Sequence, residues 1–464
     1  MRRLLLATAF GLSLAFAGPV VAQPIIKNVS TFTLANGMQV VVIPDHRAPV
    51  VTHMVYYKAG SADEPVGEAG IAHFLEHLMF KGTPEHPAGE LDRLIRTHGG
   101  DGNAFTTRDY TGYFQRIPRE QLDLMMELES DRMQNLVLKD EAVLPERDVI
   151  LEERRERIDN DPSSLLAEQL DSILYHAHPY QKPVIGWMDE MKTLDRQDAI
   201  DFYRTFYTPG NAVLVVAGDV TAEDVKALAE KHYGVLKNSF VPKPRFRTPE
   251  PEPIAARRVT LKDDRTASPM LQREYLAPSY GTDSSGEAEA LDLLAEIMGG
   301  GSTSRLYRKL VVDDRIAAYV GAWYSGDGLD SGSFSVYGAP TQTSDISRVE
   351  AGIDTVIDEV VKNGVTSEEL TRAKNRLVAA SIYALDSQAT LARSFGEALT
   401  TGQTVEDVLE WPQRIEAVTA EQVKAAAQHI LDQRRSATGV LLPGDHPMGG
   451  VTPNPATLDS ATQH

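Results

Sequence analysis

Pro242, Pro244, Pro249, Pro251 and Pro253 crowd into a short charged stretch near the middle of the chain, and the same order of strands and helices can be read on either side of it. Proline removes an N–H donor and fixes φ, so a run this dense continues neither a helix nor a central strand. It divides the chain. With 464 residues the chain is also too long for one compact core.

Before the divide, an alternating strand at 30–34 meets the turn Ala35-Asn36-Gly37-Met38 and returns over 39–44. A strand follows at 51–57, then a helix at 69–80 that stops at Gly82, a strand around 110–117, helices through most of 119–207, a buried-type strand at 211–218 and a helix at 222–233. After the divide come a strand at 270–276, a helix at 287–298, the turn Gly299-Gly300-Gly301, a helix starting near Ser304, strands at 317–324 and 332–337, long helices over 346–399 and a last strand at 437–442. This order predicts an α+β fold made of one duplicated α/β unit, each copy a mixed, mainly antiparallel sheet packed with helices. The expected boundaries are a signal peptide at 1–22, a first domain at 23–240, a linker at 241–256, a second domain at 257–445 and a polar, disordered tail at 446–464.

The chain starts Met1-Arg2-Arg3, runs apolar to about Ala17, breaks at Gly18-Pro19 and reaches Val20-Val21-Ala22. A basic start, a short apolar stretch and a small residue at the end predict a secretory signal peptide rather than a membrane anchor. No other stretch is apolar enough to span a bilayer. With no cysteine there is neither a lipid anchor at the start nor a disulfide, which suits a bacterial periplasm. The formal charge is −20, so a nucleic-acid partner is not expected.

Chemistry concentrates in Gly70-Ile71-Ala72-His73-Phe74-Leu75-Glu76-His77-Leu78-Met79-Phe80. His73 and His77 lie four apart and share one face of a helix, with Glu76 beside them. Two imidazoles at that spacing hold one metal ion, and a neighbouring carboxylate takes a proton from water on it. The competing reading, a chance surface pair, fits poorly inside an apolar helix where unpartnered polar groups are costly. A catalytic zinc takes a third protein ligand and keeps one open position. Glu146 and Glu153 are seven apart, two turns of a second helix, and face the same way. Spacing alone leaves open which of them binds metal, which orients a ligand, and whether both are solvated acids.

The His-x-x-Glu-His order resembles the inverzincin signature. The surrounding segments, Gly70 to Thr83, Asn103-Ala104-Phe105-Thr106 and Glu146-Arg147-Asp148-Val149-Ile150 with Glu153, resemble the pitrilysin/insulinase family, most closely its short-chain branch with the mitochondrial processing peptidase subunits. The resemblance implies half of a clamshell, a peptide substrate and one Zn²⁺ per chain. It implies His73, His77 and Glu153 as ligands, Glu76 as general base and Glu146 as an acid beside the site. It further implies a peptide added as a strand along Asn103 and Ala104, with Phe105 in a pocket wall; core packing is the plain alternative for Phe105.

Catalytic members also carry an arginine seven residues before a tyrosine in the second half. Tyr319 matches the tyrosine, but Val312 stands at the arginine position, and Arg308 and Arg315 lack the spacing. The expectation is therefore a heterodimer, in which this chain brings zinc and a homologous subunit without the zinc motif brings Arg and Tyr; a homodimer is the alternative. The competing functions are a non-catalytic peptide-binding or assembly subunit and a structural-metal protein. The intact general base weighs against the first, and the missing cysteines against the second. Setting Glu76 against Glu296 puts Leu293 and Ile297 at the histidine positions, so the second half is expected to keep the helix and lack the site.

Overall fold

A computed structural model describes residues 28–240 and 244–445. The signal peptide expected at 1–22, the tail at 446–464 and residues 241–243 of the proline-rich stretch lie outside the described residues.

The first half builds a six-stranded sheet from β1 (Ser30–Thr33), β2 (Gln39–Pro44), β3 (Val50–Tyr57), β4 (Asp101–Thr106), β5 (Thr111–Pro118) and β6 (Ala212–Gly218), in the order β1-β2-β6-β3-β5-β4. The β1–β2 hairpin closes through Gly37, whose φ of +94° a side chain would oppose. Only β2 and β6 pair in parallel; the other pairs are antiparallel. Central β6 is buried on both faces, as its unbroken apolar run from Ala212 to Ala217 requires. Its helices are α1 (Ile71–Leu78), α2 (Glu90–Thr97), α3 (Leu122–Asn135), α4 (Asp140–Arg154), α5 (Pro162–Leu174), α6 (Met188–Met191), α7 (Arg196–Phe206) and α8 (Ala222–His232).

The second half builds a five-stranded sheet from β7 (Arg257–Asp263), β8 (Met270–Ala277), β9 (Ala317–Ser325), β10 (Gly332–Pro340) and β11 (Ser436–Pro443), in the order β7-β11-β8-β10-β9. Here β7 and β11 are the parallel pair and the rest are antiparallel. The helices are α9 (Glu287–Gly299), α10 (Ile346–Asn363), α11 (Ser367–Ala384), α12 (Gln388–Thr400), α13 (Val405–Ala417) and α14 (Ala420–Ile430).

Strand for strand, β2, β6, β3, β5 and β4 of the first sheet correspond to β7, β11, β8, β10 and β9 of the second, with the same parallel pair at the same place. In both halves the helix after the third of these strands, α1 or α9, lies against the edge strand, β4 or β9. Leu293 and Ile297 are buried in the apolar core of the second half, and Glu296 pairs with Arg376 at 2.8 Å. The α9 helix therefore keeps the position of α1 and carries core side chains where α1 carries imidazoles.

Each sheet packs its own helices on one face. The other face is covered by a helix from the opposite half: α12 lies on β3 and β6, and α5 lies on β7 and β11. Gly396 lets α12 approach so closely that a Cβ there would stand 2.1 Å from the Tyr56 ring. The proline-rich stretch helps seal this junction, since the buried Arg247 reaches Asp63 at 2.9 Å, Asp109 and, across in the second half, Asp330 at 2.9 Å. Strand β7 and helices α2, α13 and α14 are additional to the sequence reading, and the segment after Ser304 winds mainly as a π-helix over Tyr307–Asp313. Among the described residues no helix is long and apolar enough to cross a membrane.

Candidate active site

Helix α1 is amphipathic in an unusual sense: nearly all of it is buried, including His73 and Glu76 at 8% exposure each, and only His77 is partly open. Ile71, Phe74, Leu75 and Leu78 anchor it in the apolar core. Helix α4 packs against it and brings a second pair of side chains from a distant part of the sequence. A π-turn over Arg155–Asp159 begins two residues after Glu153, a backbone irregularity of the kind found at functional sites.

The two helices converge at three ligand atoms. Glu153 Oε2 stands 3.6 Å from His73 Nε2 and 3.3 Å from His77 Nε2, and one donor atom from each residue lies within 4.8 Å of the others. Donors held tetrahedrally at zinc–nitrogen and zinc–oxygen bond lengths are about 3.3 Å apart. Glu153 Oε2 is buried and makes no hydrogen bond of good geometry among the described residues, while Oε1 is held by Arg157 at 2.8 Å. A buried carboxylate oxygen left without a donor and facing two imidazole nitrogens fits a cation between them.

Glu146 reaches the site without joining that triangle. Its Oε1 accepts a hydrogen bond from His77 Nδ1 at 2.9 Å, and its other oxygen takes the Lys81 ammonium. A carboxylate only accepts, so Nδ1 of His77 carries a proton, and Nε2 is the nitrogen turned toward Glu153. The hydrogen bond from His77 holds Glu146 below its ordinary value, with Lys81 adding to it. Burial pushes Glu153 up, but His77, His73 and Arg157 outweigh it and bring it down to about 2. Burial would lower His77, yet Glu146, Glu153 and Glu76 together raise it to about 9. Three carboxylates thus surround two imidazoles in a field that favours added positive charge.

Glu76 lies beside the triangle. Burial lifts it to about 7, opposed by the Thr106 hydroxyl, which donates to its Oε2 at 2.5 Å. A carboxylate near neutrality in its proton affinity is suited to take a proton and give it back. Thr106 belongs to β4, so this hydrogen bond ties the base to the edge of the sheet. Sequence reasoning quoted Thr106 within a matching segment and gave it no role; its signal was the two-residue alternation that sets Ala104 and Thr106 on one side of the strand.

Among the described residues strand β4 pairs with β5 alone, which leaves its outer N–H and C=O groups open to another strand. Asn103 is exposed and Ala104 buried toward α1. Phe105 faces the other way, edge-on to Tyr56 and Tyr110, with the Arg393 guanidinium 4.4 Å above its ring. It packs under α12, on the opposite side of the sheet from His73 and Glu76. Tyr319 is not brought to the cluster. It sits on edge strand β9, packed near Tyr337 and Trp323 of its own sheet, and its buried hydroxyl has no hydrogen-bond partner among the described residues. Val312 is half exposed in the π-helix that precedes β9.

Sequence patterns of known families match both halves. The pattern described as Insulinase (Peptidase family M16) matches residues 39–187, and that described as Peptidase M16 inactive domain matches residues 193–377. The zinc protease PqqE of Helicobacter pylori is 33% identical over 382 residues, covering 82% of this chain and 85% of that protein. An uncharacterized zinc protease of Mycobacterium tuberculosis is 33% identical over 417 residues, covering 87% and 91%. Among solved structures, a protease from Helicobacter pylori superposes with a TM-score of 0.85 at 30% identity, over 91% of this chain and all of that one. The periplasmic protease PqqL of Escherichia coli has the same fold, with a TM-score of 0.77 at 18% identity; the match takes in 94% of this chain and 50% of that one.

Proposed function

Because the chain belongs to the insulinase family of peptidases, peptidase family M16, we propose that it is a zinc-dependent endopeptidase, with His73, His77 and Glu153 as metal ligands and Glu76 as general base. The observation that carries this reading is the convergence of three donor atoms within 4.8 Å, with the buried Glu76 alongside. A zinc ion held there supplies a Lewis acid for the peptide carbonyl and lowers the pKa of its water to about 7. Glu76 accepts the proton released from the attacking water and passes it to the leaving amine. The Thr106 hydroxyl holds the receiving oxygen in place. Glu146 keeps the proton on His77 Nδ1 so that Nε2 stays free for the ion. Substrate backbone adds along the open side of β4 at Asn103 and Ala104.

The reading extends to assembly. Val312 stands where an arginine is expected before Tyr319. A homologous subunit supplying Arg and Tyr would complete the site from across a clamshell chamber that admits short or unfolded peptides. That a single longer periplasmic protease matches this chain over half its length supports pairing of homologous halves. The basic and apolar start of the chain supports export to the periplasm.

The test is to measure zinc content and cleavage of a quenched peptide library for wild type and Glu76→Gln, with and without a partner subunit. Zinc retained with cleavage lost by ~10²–10⁴ supports the reading. Equal cleavage by the two proteins refutes it, and so does a wild type that holds no zinc.

A further inference from the structure

The helix that carries His73, Glu76 and His77 starts without a cap of its own. Gly70 occupies the N-cap with φ +95° and has no side chain to accept the free N–H groups of the first turn. A side chain cannot be added there, since a Cβ on Gly70 would meet the Ile185 carbonyl at 2.7 Å. Carboxylates from elsewhere take over. Glu64 Oε1 accepts from the N–H groups of both Gly70, at 3.0 Å, and Ala72, at 3.1 Å. Glu190 Oε2 accepts from Ala69 at 2.8 Å.

The Glu64 side chain is completely buried, and its other oxygen faces the Lys182 ammonium at 3.8 Å. Lys182 also donates to the Glu64 backbone carbonyl at 3.3 Å. The preceding residue, Asp63, is clamped by Arg247, so the turn that presents Glu64 is itself fixed. An acceptor held at the helix start satisfies N–H groups that would otherwise stay unpaired in the core. A single oxygen taking two N–H bonds also sets both the height and the rotation of the first turn.

We propose that Glu64 is a positioning residue for the metal site: a remote N-cap that aims His73, Glu76 and His77 at Glu153. The inference rests on the zinc-peptidase reading above. Ala72 adjoins His73, so any shift of the first turn moves the imidazole directly. Helix α4 does not follow such a shift. Arg154, next to Glu153, is locked to Glu168 at 2.7 Å and to the Gly186 carbonyl at 2.8 Å. Misplacing α1 therefore opens the triangle instead of moving it as a unit.

The test uses the full chain as Glu64→Ala, Glu64→Gln and Lys182→Met. Zinc dissociation constants come from competition with a chelator, and amide hydrogen exchange is followed over residues 70–74. Glu64→Ala is expected to weaken zinc binding ~10–100-fold, as loss of an outer-shell partner does, and to speed exchange in the first turn. Glu64→Gln keeps an acceptor oxygen and is expected to recover most of the zinc affinity. Lys182→Met leaves both N–H acceptors and is expected to stay within about twofold of wild type. If Glu64→Ala does not fold, the other two variants decide. Wild-type zinc affinity and exchange in a folded Glu64→Ala overturn the proposal, as does a Glu64→Gln that is as impaired as Glu64→Ala. A wild type that holds no zinc overturns the peptidase reading instead, and the exchange comparison still decides whether Glu64 sets the helix.

Discussion

Glu146 and Glu153 come from one helix face and do different work, and the difference is one of reach. Glu153 meets both Nε2 atoms, whereas Glu146 meets only the far side of one ring. Removing Glu153 takes away a donor; removing Glu146 takes away what orients one. Glu146→Ala is therefore expected to retain zinc stoichiometry at saturating metal while weakening affinity ~10–100-fold, and Glu153→Ala to lose the site. Equilibrium dialysis of the two variants checks the order, and equal affinities would contradict it. Spacing put the two histidines on one helix face with the base beside them and the two acids on one face of another helix, but the resemblance, not the spacing, gave the acids their roles. Glu64 was not legible, since a buried acceptor six residues ahead of a helix leaves no periodic trace, and Thr106 showed only in the two-residue alternation it shares with Ala104.

A second residue-scale prediction concerns pH and lies away from the metal cluster. Burial, reinforced by nearby Asp327, lifts Glu397 from its ordinary 4.5 to about 7. Between those values the folded state binds the proton more tightly than the unfolded chain, so the contribution of Glu397 to stability is full below 4.5 and is lost as pH rises through 7. Glu397→Gln lacks this loss. The unfolding temperature of the variant is expected to gain on wild type by roughly 1 °C for each kcal/mol recovered between pH 5 and pH 8. Parallel pH profiles for the two proteins would exclude the assignment.

At the scale of elements, the exchange of helices between halves is what makes the chain one body. Gly396 sits where α12 crosses Tyr56, and that ring is fully buried between Phe105 and Tyr110, with nowhere to retreat. Gly396→Ala is expected to cost about 1–3 kcal/mol from overpacking, despite the better helix propensity of alanine. Chemical denaturation measures it, and an unchanged or raised midpoint would show that α12 does not lie as described. Most elements were readable from apolar periodicity. Strand β7 was hidden because only Val259 and Leu261 alternate between Arg257, Arg258, Lys262 and Asp263, and because prolines precede it. Helices α13 and α14 did leave a signal, the capping boxes Thr404 to Asp407 and Thr419 to Gln422, which the search for apolar faces passed over.

For the whole molecule, the duplicated plan sets where a second active-site contribution must originate. Within one chain the second half presents Tyr319 on β9, packed in its own sheet and apart from the triangle, and Val312 ahead of it has no charge to offer. On the proposed reading, then, wild type alone is missing a donor to the developing oxyanion, a loss that typically costs ~10²–10³ in rate. Supplying that donor on a separate chain tests the geometry without touching the metal. A chain carrying both Glu76→Gln and Val312→Arg has no base of its own but offers an arginine seven residues before a tyrosine. Mixed with wild type, it is expected to raise peptide cleavage by about one to two orders of magnitude, while either protein alone stays slow. The Glu76→Gln chain without the added arginine serves as the control and is expected to add nothing. Full activity of wild type alone, or no gain on mixing when the two chains demonstrably associate, would mean that the site is not completed across two copies through this segment.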